Sequence, residues 1–182
     1  MSIRIVVPLD PAHRADFDAL MRASGDEPSA CRCTAYHGCD VSLAGAGAEC
    51  RARMFDDRVV DGALLYVDDV VAGWCQSGPR RSFAVFGKSG PEAPALATDV
   101  WTITCMVIAP AFRGRGLCHE LFASVLDAIR ARPDATSVLV TGHRLGPHYS
   151  SPLPELPESV CIRAGMTMIR DDAECPLYEL RW

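Results

Sequence analysis

The sequence predicts a mixed α/β (α+β) fold, a mostly antiparallel sheet with helices on both faces, in one domain over residues 1–182. Three observations predict it. Short β-branched runs recur along the chain, amphipathic stretches at helical spacing lie among them, and no internal repeat or domain boundary interrupts the series. A chain of 182 residues, 49% hydrophobic and 23% charged, can bury a sizeable core, and that composition excludes disorder and fibrous repeats.

The elements follow in order. Arg4 to Leu9 reads as a strand, and Asp10-Pro11 as an N-cap with proline at the first helical position. Phe17, Leu20 and Met21 then give the buried stripe of a helix ending near Ala23. Residues Ser24 to Gly47 have loop chemistry, and a second helix is expected from Ala48 to Val60. Ala63–Val67 and Val70–Gln76 flank Asp68-Asp69 as a tight hairpin. Pro79 to Asp99 reads as a long loop.

Val100 to Ala109 is nearly all apolar and suits a central strand covered on both faces. Leu117, Leu121, Val125 and Ile129 recur every four residues, widened by Phe122 and Leu126, with Pro133 just past the helix end. Ser137–Thr141 reads as a strand, Gly142–Pro157 as a loop, and Glu158–Ala164 as a short helix closed by Gly165. Met166–Arg170 and Pro176–Arg181 form a last antiparallel pair. The predicted order is β-α-α-β-β-β-α-β-α-β-β.

A formal charge of −5 argues against general nucleic-acid binding, which needs a basic face. The apolar runs fall short of the ~18–20 residues of a membrane span, and the N-terminus lacks the pattern of a signal peptide. Nine cysteines, an odd number without an export signal, point to free thiols in a reducing cytoplasm.

Residues 104–121, TCMVIAPAFRGRGLCHEL, carry the most information. They read as strand, proline stop, glycine-rich turn and amphipathic helix. Gly114 and Gly116 allow backbone N–H groups to turn outward, the helix start adds partial positive charge, and Arg113 and Arg115 add two full charges. The combination suits a pyrophosphate cradle, although a plain strand-to-helix turn also uses glycine for close approach. The Walker pattern is excluded because Gly116 is followed by Leu117-Cys118 and not by Lys-Ser/Thr. The dinucleotide fingerprint is excluded because two glycines stand where three are needed.

Arg113-Gly114-Arg115-Gly116-Leu117-Cys118 resembles the Arg/Gln-x-x-Gly-x-Gly/Ala motif of the GCN5-related N-acetyltransferases, with Cys118 in place of the final Gly or Ala. Met106-Val107-Ile108-Ala109-Pro110 is similar to that family's strand-plus-proline lead-in, and the order of elements agrees over roughly the whole chain. The resemblance implies acetyl transfer from acetyl-CoA to an amine by direct attack in a ternary complex. It also implies that Met106, Val107 and Ile108 meet the pantetheine arm, with the diphosphate on the amides of Arg113 to Cys118. A non-catalytic acyl-CoA-binding module of the same fold is the alternative.

The family often places a proton-donating tyrosine four residues before the closing glycine; here that position is Cys161, with Tyr149 as a substitute. Asp99, at the entrance of the central strand, is a candidate base, and His143 and His148 lie in the loop after the next strand. Cys31, Cys33, His37 and Cys39 invite a zinc reading, but Cys-x-Cys is poor spacing and no metal is expected. In the resembled fold this segment lines the acceptor side, which makes Tyr36 and His37 substrate contacts, together with Trp101 at a strand end. The expected partner is a small-molecule or peptide amine, with no nucleic acid and no membrane, and the chain itself is expected to be a monomer or homodimer.

Overall fold

A computed structural model of the chain describes residues 4–24, 32–39, 46–56, 61–86, 99–144 and 156–182. Along it run β1 (Arg4–Pro8), α1 (Arg14–Ala23), α2 (Ala46–Asp56), β2 (Gly62–Val67), β3 (Val70–Pro79) and β4 (Val100–Ile108). There follow α3 (Leu117–Arg130), β5 (Ser137–His143), the two-residue β6 (Leu156–Pro157), α4 (Glu158–Arg163), β7 (Thr167–Arg170) and β8 (Leu177–Arg181). The strands lie in the order β1-β2-β3-β4-β5-β8-β7, with β6 paired to β5. Every pair is antiparallel except β4–β5 and β5–β6, so the expected mixed, mostly antiparallel sheet is present.

Local chemistry explains the element starts and stops. The Asp10 carboxylate accepts from the Ala12 and His13 amides, capping a 3-10 turn (Pro11–His13) that leads into α1. The β2–β3 hairpin turns through Asp68 and Asp69 at φ 50° and 64°, the left-handed pair that matches strand twist. Helix α4 ends in a Schellman motif, with the Met166 amide bonded to the Cys161 carbonyl and the Gly165 amide to that of Ile162.

Two cores form, one on each face of the sheet. Helix α3 lays Leu117, Leu121, Phe122, Val125, Leu126 and Ile129 against Trp101, Ile103, Val138 and Val140, with Val160 and Cys161 of α4 joining them. On the opposite face Phe17, Leu20 and Met21 of α1 and Phe55 of α2 cover Leu64, Trp74 and Cys105. Phe17 meets the Trp74 ring edge-on at 4.9 Å.

Several boundaries differ from the sequence reading. The region read as one loop from Pro79 contains the end of β3 and two 3-10 turns, Arg80–Ser82 and Ala84–Phe86; residues 87–98 lie outside the described segments. Helix α2 begins at Ala46, two residues early, and residues 57–60 of its expected end are outside the described segments. His143 belongs to β5, because Gly142 and His143 pair with Leu156 and Pro157. Residues 145–155, with Tyr149 and His148, lie outside the described segments.

Cys39 and Cys50 form a disulfide between the end of a 3-10 turn (Arg32–His37) and α2, which corrects the expectation that all thiols are free. The two cysteines are eleven residues apart, and packing of the 3-10 turn against α2 brings the sulfurs together, a proximity no local pattern predicts. Cys75, Cys105, Cys118, Cys161 and Cys175 take part in no disulfide among the described residues. Among the described residues no helix is long and apolar enough to cross a membrane.

Candidate active site

The central feature is a parting of strands. β4 and β5 pair in parallel through Val100–Ser137, Trp101–Val138 and Thr102–Leu139, and no pair follows. The Thr102 hydroxyl donates to the Leu139 carbonyl at 2.7 Å, closing the ladder at its last rung. Beyond it β4 stays paired to β3 alone, so one edge of Ile103–Ile108 carries backbone groups that β5 does not use.

Alternation tells which residues own that edge. The Ala109 amide donates to Ala72 on the β3 side at 2.9 Å. With a period of two, Val107 also faces β3, whereas Met106 and Ile108 face the opening. The Ile108 carbonyl already accepts from Arg113 Nε at 3.0 Å. Of the three residues expected to meet a pantetheine arm, Val107 therefore has its backbone committed to the sheet.

Thr104 is an extra residue in β4, since Cys105 pairs with Gln76 and Ile103 with Ser77. This bulge reverses the alternation, so Ile103 faces the α3 core while Cys105 faces the α1 core. It stands two residues past the last β4–β5 pair.

At the end of β4 the chain turns through Pro110–Phe112 into the glycine loop. Gly114 and Gly116 both have φ 75°, a left-handed conformation that side chains resist. A Cβ at either position would meet nothing within 4 Å, so the space above the loop is open. Among the described residues, no hydrogen bond is donated by the amides of Gly114, Arg115, Gly116, Leu117 or Cys118. Five consecutive unused donors at the start of a fourteen-residue helix are an arrangement suited to an anion.

Side chains hold this loop from below. Leu117 is buried in the α3 core, and Cys118 packs against its margin. Arg113 caps Ile108, while Arg115 donates to the Ala111 carbonyl at 3.0 Å and lies 5.4 Å from the Phe112 ring centre. Both guanidinium charges thus stay beside the loop.

The other expected chemical groups are distributed differently. Cys161 is fully buried among core side chains, and burial, with the Glu158 charge as a smaller cause, pushes its thiol up to about 12. A thiol that holds its proton so firmly is a poor donor to a thiolate. Glu158 nearby accepts from the Tyr178 hydroxyl and from Arg144 Nε, and the tyrosine bond holds its carboxyl below the usual range.

Asp99 stands at the N-terminal end of β4, whereas the parting and the loop lie toward its C-terminal end. It accepts from the Thr136 hydroxyl at 2.5 Å, which lowers its pKa and keeps it ionised. At ~3.3 Å per residue, the strand carries it roughly 15 Å from Thr104, too far for a base. Trp101 is likewise not brought to the acceptor side. Its ring belongs to the α3 core with Arg132 stacked at 4.5 Å, on the opposite face of the sheet from His37.

Tyr36 and His37 lie together against aromatic rings, and His37 also meets a buried polar side chain. The His37 ring lies 4.9 Å from Phe83, and Tyr36 lies 6.4 Å from Phe83 and 5.9 Å from Phe86. Burial pushes the His37 pKa down to about 4. Its Nε2 is 2.9 Å from Gln76 Nε2, and Gln76 Oε1 accepts from the Thr104 hydroxyl at 2.9 Å. Sequence reasoning missed Gln76 and Thr104 as site residues. The available signal was a polar residue inside an apolar strand, VVAGWCQ and VWTITCMVIA, which is more informative than an exposed one.

A cavity of about 430 Å³ lies apart from this arrangement, between α3 and β1–β2, lined among others by Arg4, Asp61, Ser77, Trp101, Glu120 and Arg132. It shares no residue with the glycine loop, and volume alone does not make it the site of chemistry.

Comparison with known proteins bears on the fold. In architecture the chain is similar to an N-acetyltransferase from Staphylococcus aureus Mu50, with TM-score 0.58, 9% identity and 98% of each chain covered. It is similar to aminoglycoside acetyltransferase AAC(6')-Ib in complex with coenzyme A, with TM-score 0.61, 11% identity and coverage of 98% of this chain and 95% of that one. It is also similar to yncA from Salmonella typhimurium with its cofactor acetyl-CoA, with TM-score 0.55, 14% identity and coverage of 98% and 93%. No curated protein matches. The sequence model of the Acetyltransferase (GNAT) family matches residues 41–145, from before α2 to just past β5, and the chain belongs to that family.

Proposed function

We propose that this chain is an N-acetyltransferase that moves the acetyl group of acetyl-CoA onto an amine by direct attack within a ternary complex. The observation that carries the reading is the set of five amides, Gly114 to Cys118, unused among the described residues, at the end of a strand whose edge β5 leaves after Thr102. The residues present fit a CoA diphosphate, because the loop offers donors, open space and two flanking guanidinium groups.

Acetyl-CoA supplies an acetyl group activated as a thioester; the amine nitrogen forms the C–N bond, the C–S bond breaks, and the amine's surplus proton ends on the released thiol. The chain's own part is binding and orientation. The loop amides hold the diphosphate, and the Met106 and Ile108 amides on the open edge are the available donors to the pantetheine arm or to the thioester carbonyl. Cys161 and Asp99 are not assigned to proton transfer. The acceptor is a small-molecule or peptide amine, reached from the face that carries Tyr36 and His37.

A specific observation favours a second reading. The position of the family's general acid is filled by a buried thiol of raised pKa, as expected of a module that binds acyl-CoA without turning it over. Release of CoA thiol from acetyl-CoA, followed over a panel of amines, separates the two. Amine-dependent thiol release at catalytic rates supports transfer; tight acetyl-CoA binding with none supports the binding module.

A further inference from the structure

We propose that Gln76 fixes the tautomer of His37, so that His37 recognises the acceptor as a hydrogen-bond donor through Nδ1 and selects amines that carry a neighbouring hydroxyl or carbonyl oxygen. This rests on the transfer reading above and adds to it which atom meets the acceptor and what that atom requires.

The inference begins at the bulge. Thr104 is buried in β4, and its hydroxyl donates to Gln76 Oε1 at 2.9 Å. Gln76 is 1% exposed, so its amide cannot turn to solvent for other partners. With Oε1 engaged as acceptor, the remaining end of the amide is an NH₂ group that can only donate. That group lies 2.9 Å from His37 Nε2. A ring nitrogen that accepts carries no proton, so the proton of neutral His37 is on Nδ1.

The surroundings keep the ring neutral and oriented. The Phe83 ring lies tilted beside it at 4.9 Å, and the burial that lowers its pKa leaves it uncharged near neutrality. Nδ1 makes no hydrogen bond among the described residues. The half-buried ring therefore presents one unused donor, and its one basic lone pair is occupied by Gln76. Such a histidine cannot serve as the base that deprotonates an ammonium group. It can bind an oxygen, and it stands two side chains from the Thr104 bulge, just past the last β4–β5 pair.

Gln76 and Thr104 are positioning residues in this account, and the tautomer is the readout that mere packing would not move. Long-range ¹H–¹⁵N NMR on the full chain should show His37 Nδ1 protonated and Nε2 bare. Gln76→Glu offers only acceptors, so it should move the proton to Nε2. It should also raise the acceptor KM roughly three- to tenfold, the worth of one ordinary hydrogen bond, while acetyl-CoA affinity stays unchanged. His37→Asn, which keeps a donor near the Nδ1 position, should retain more activity than His37→Gln.

Amines matched in length and differing only by a hydroxyl or carbonyl oxygen provide the specificity arm. The oxygen-bearing member should have the higher kcat/KM by a similar factor, and Gln76→Glu should erase the preference. A protonated Nε2 in the unaltered chain overturns the tautomer, and equal rates for matched amines overturn the recognition role. The resonances are read without any acceptor. Protonated Nδ1 with no turnover across the panel would therefore sink the transfer reading and the acceptor role together, and leave the tautomer standing.

Discussion

The Thr102 hydroxyl reaches across to the Leu139 carbonyl at 2.7 Å, at the last rung where β4 and β5 are paired. Both residues are buried, so the bond is not exchangeable for one to water. Thr102→Val keeps the shape and leaves a buried carbonyl one donor short. The expected cost is about 1–2 kcal/mol of stability, measured by urea denaturation, with an unchanged m-value if the fold is kept.

Acid should find His37. Its pKa in the folded chain is about 4, below the 6.5 of an unperturbed histidine, so the unfolded chain takes up the proton first. Its stabilising contribution is complete above about pH 6.5 and declines as pH falls from there toward 4. At pH 5 the loss is up to about 2 kcal/mol relative to pH 7.5. Denaturation curves at the two pH values should show that difference, and His37→Asn should reduce it.

The disulfide gives a third expectation. Cys39–Cys50 closes a short loop that ties the turn bearing Tyr36 and His37 to α2. A crosslink of this span is worth about 2–3 kcal/mol through the unfolded state. A dithiol reductant should lower the urea midpoint correspondingly, while Cys50→Ser should show the lower midpoint with and without reductant.

The glycine loop separates stability from binding. A methyl at Gly114 meets open space, so Gly114→Ala should cost only the left-handed backbone penalty, about 1 kcal/mol. Thermal melting should register that small loss, whereas acetyl-CoA affinity should fall further because the methyl stands over the unused amides.

Local chemistry made much of this legible in advance. The α3 stripe, the Asp68-Asp69 hairpin, the strand-proline-glycine passage into the loop and the Gly165 helix stop are all written in neighbouring residues, and each is present. What sequence could not supply is pairing between distant segments. That β4 leaves β5 after Thr102 depends on β5, 37 residues away. The Thr104 bulge decides which face each later β4 residue takes, whereas plain alternation already sets Trp101 and the Thr104–Gln76–His37 chain on opposite faces. Asp99 looked close to the chemistry because it is close in sequence to the central strand, yet it sits at the strand's far end. Gln76 and His37, 39 residues apart, meet only once the 3-10 turn has packed on the sheet.

The most direct measurement of the central claim is calorimetric titration of acetyl-CoA into the unaltered chain and into Gly116→Glu. Glutamate there would set a carboxylate over the five amides that are read as the diphosphate cradle. The account predicts stoichiometric binding to the unaltered chain and none to a folded Gly116→Glu. No binding by the unaltered chain, or equal binding by both, would contradict it.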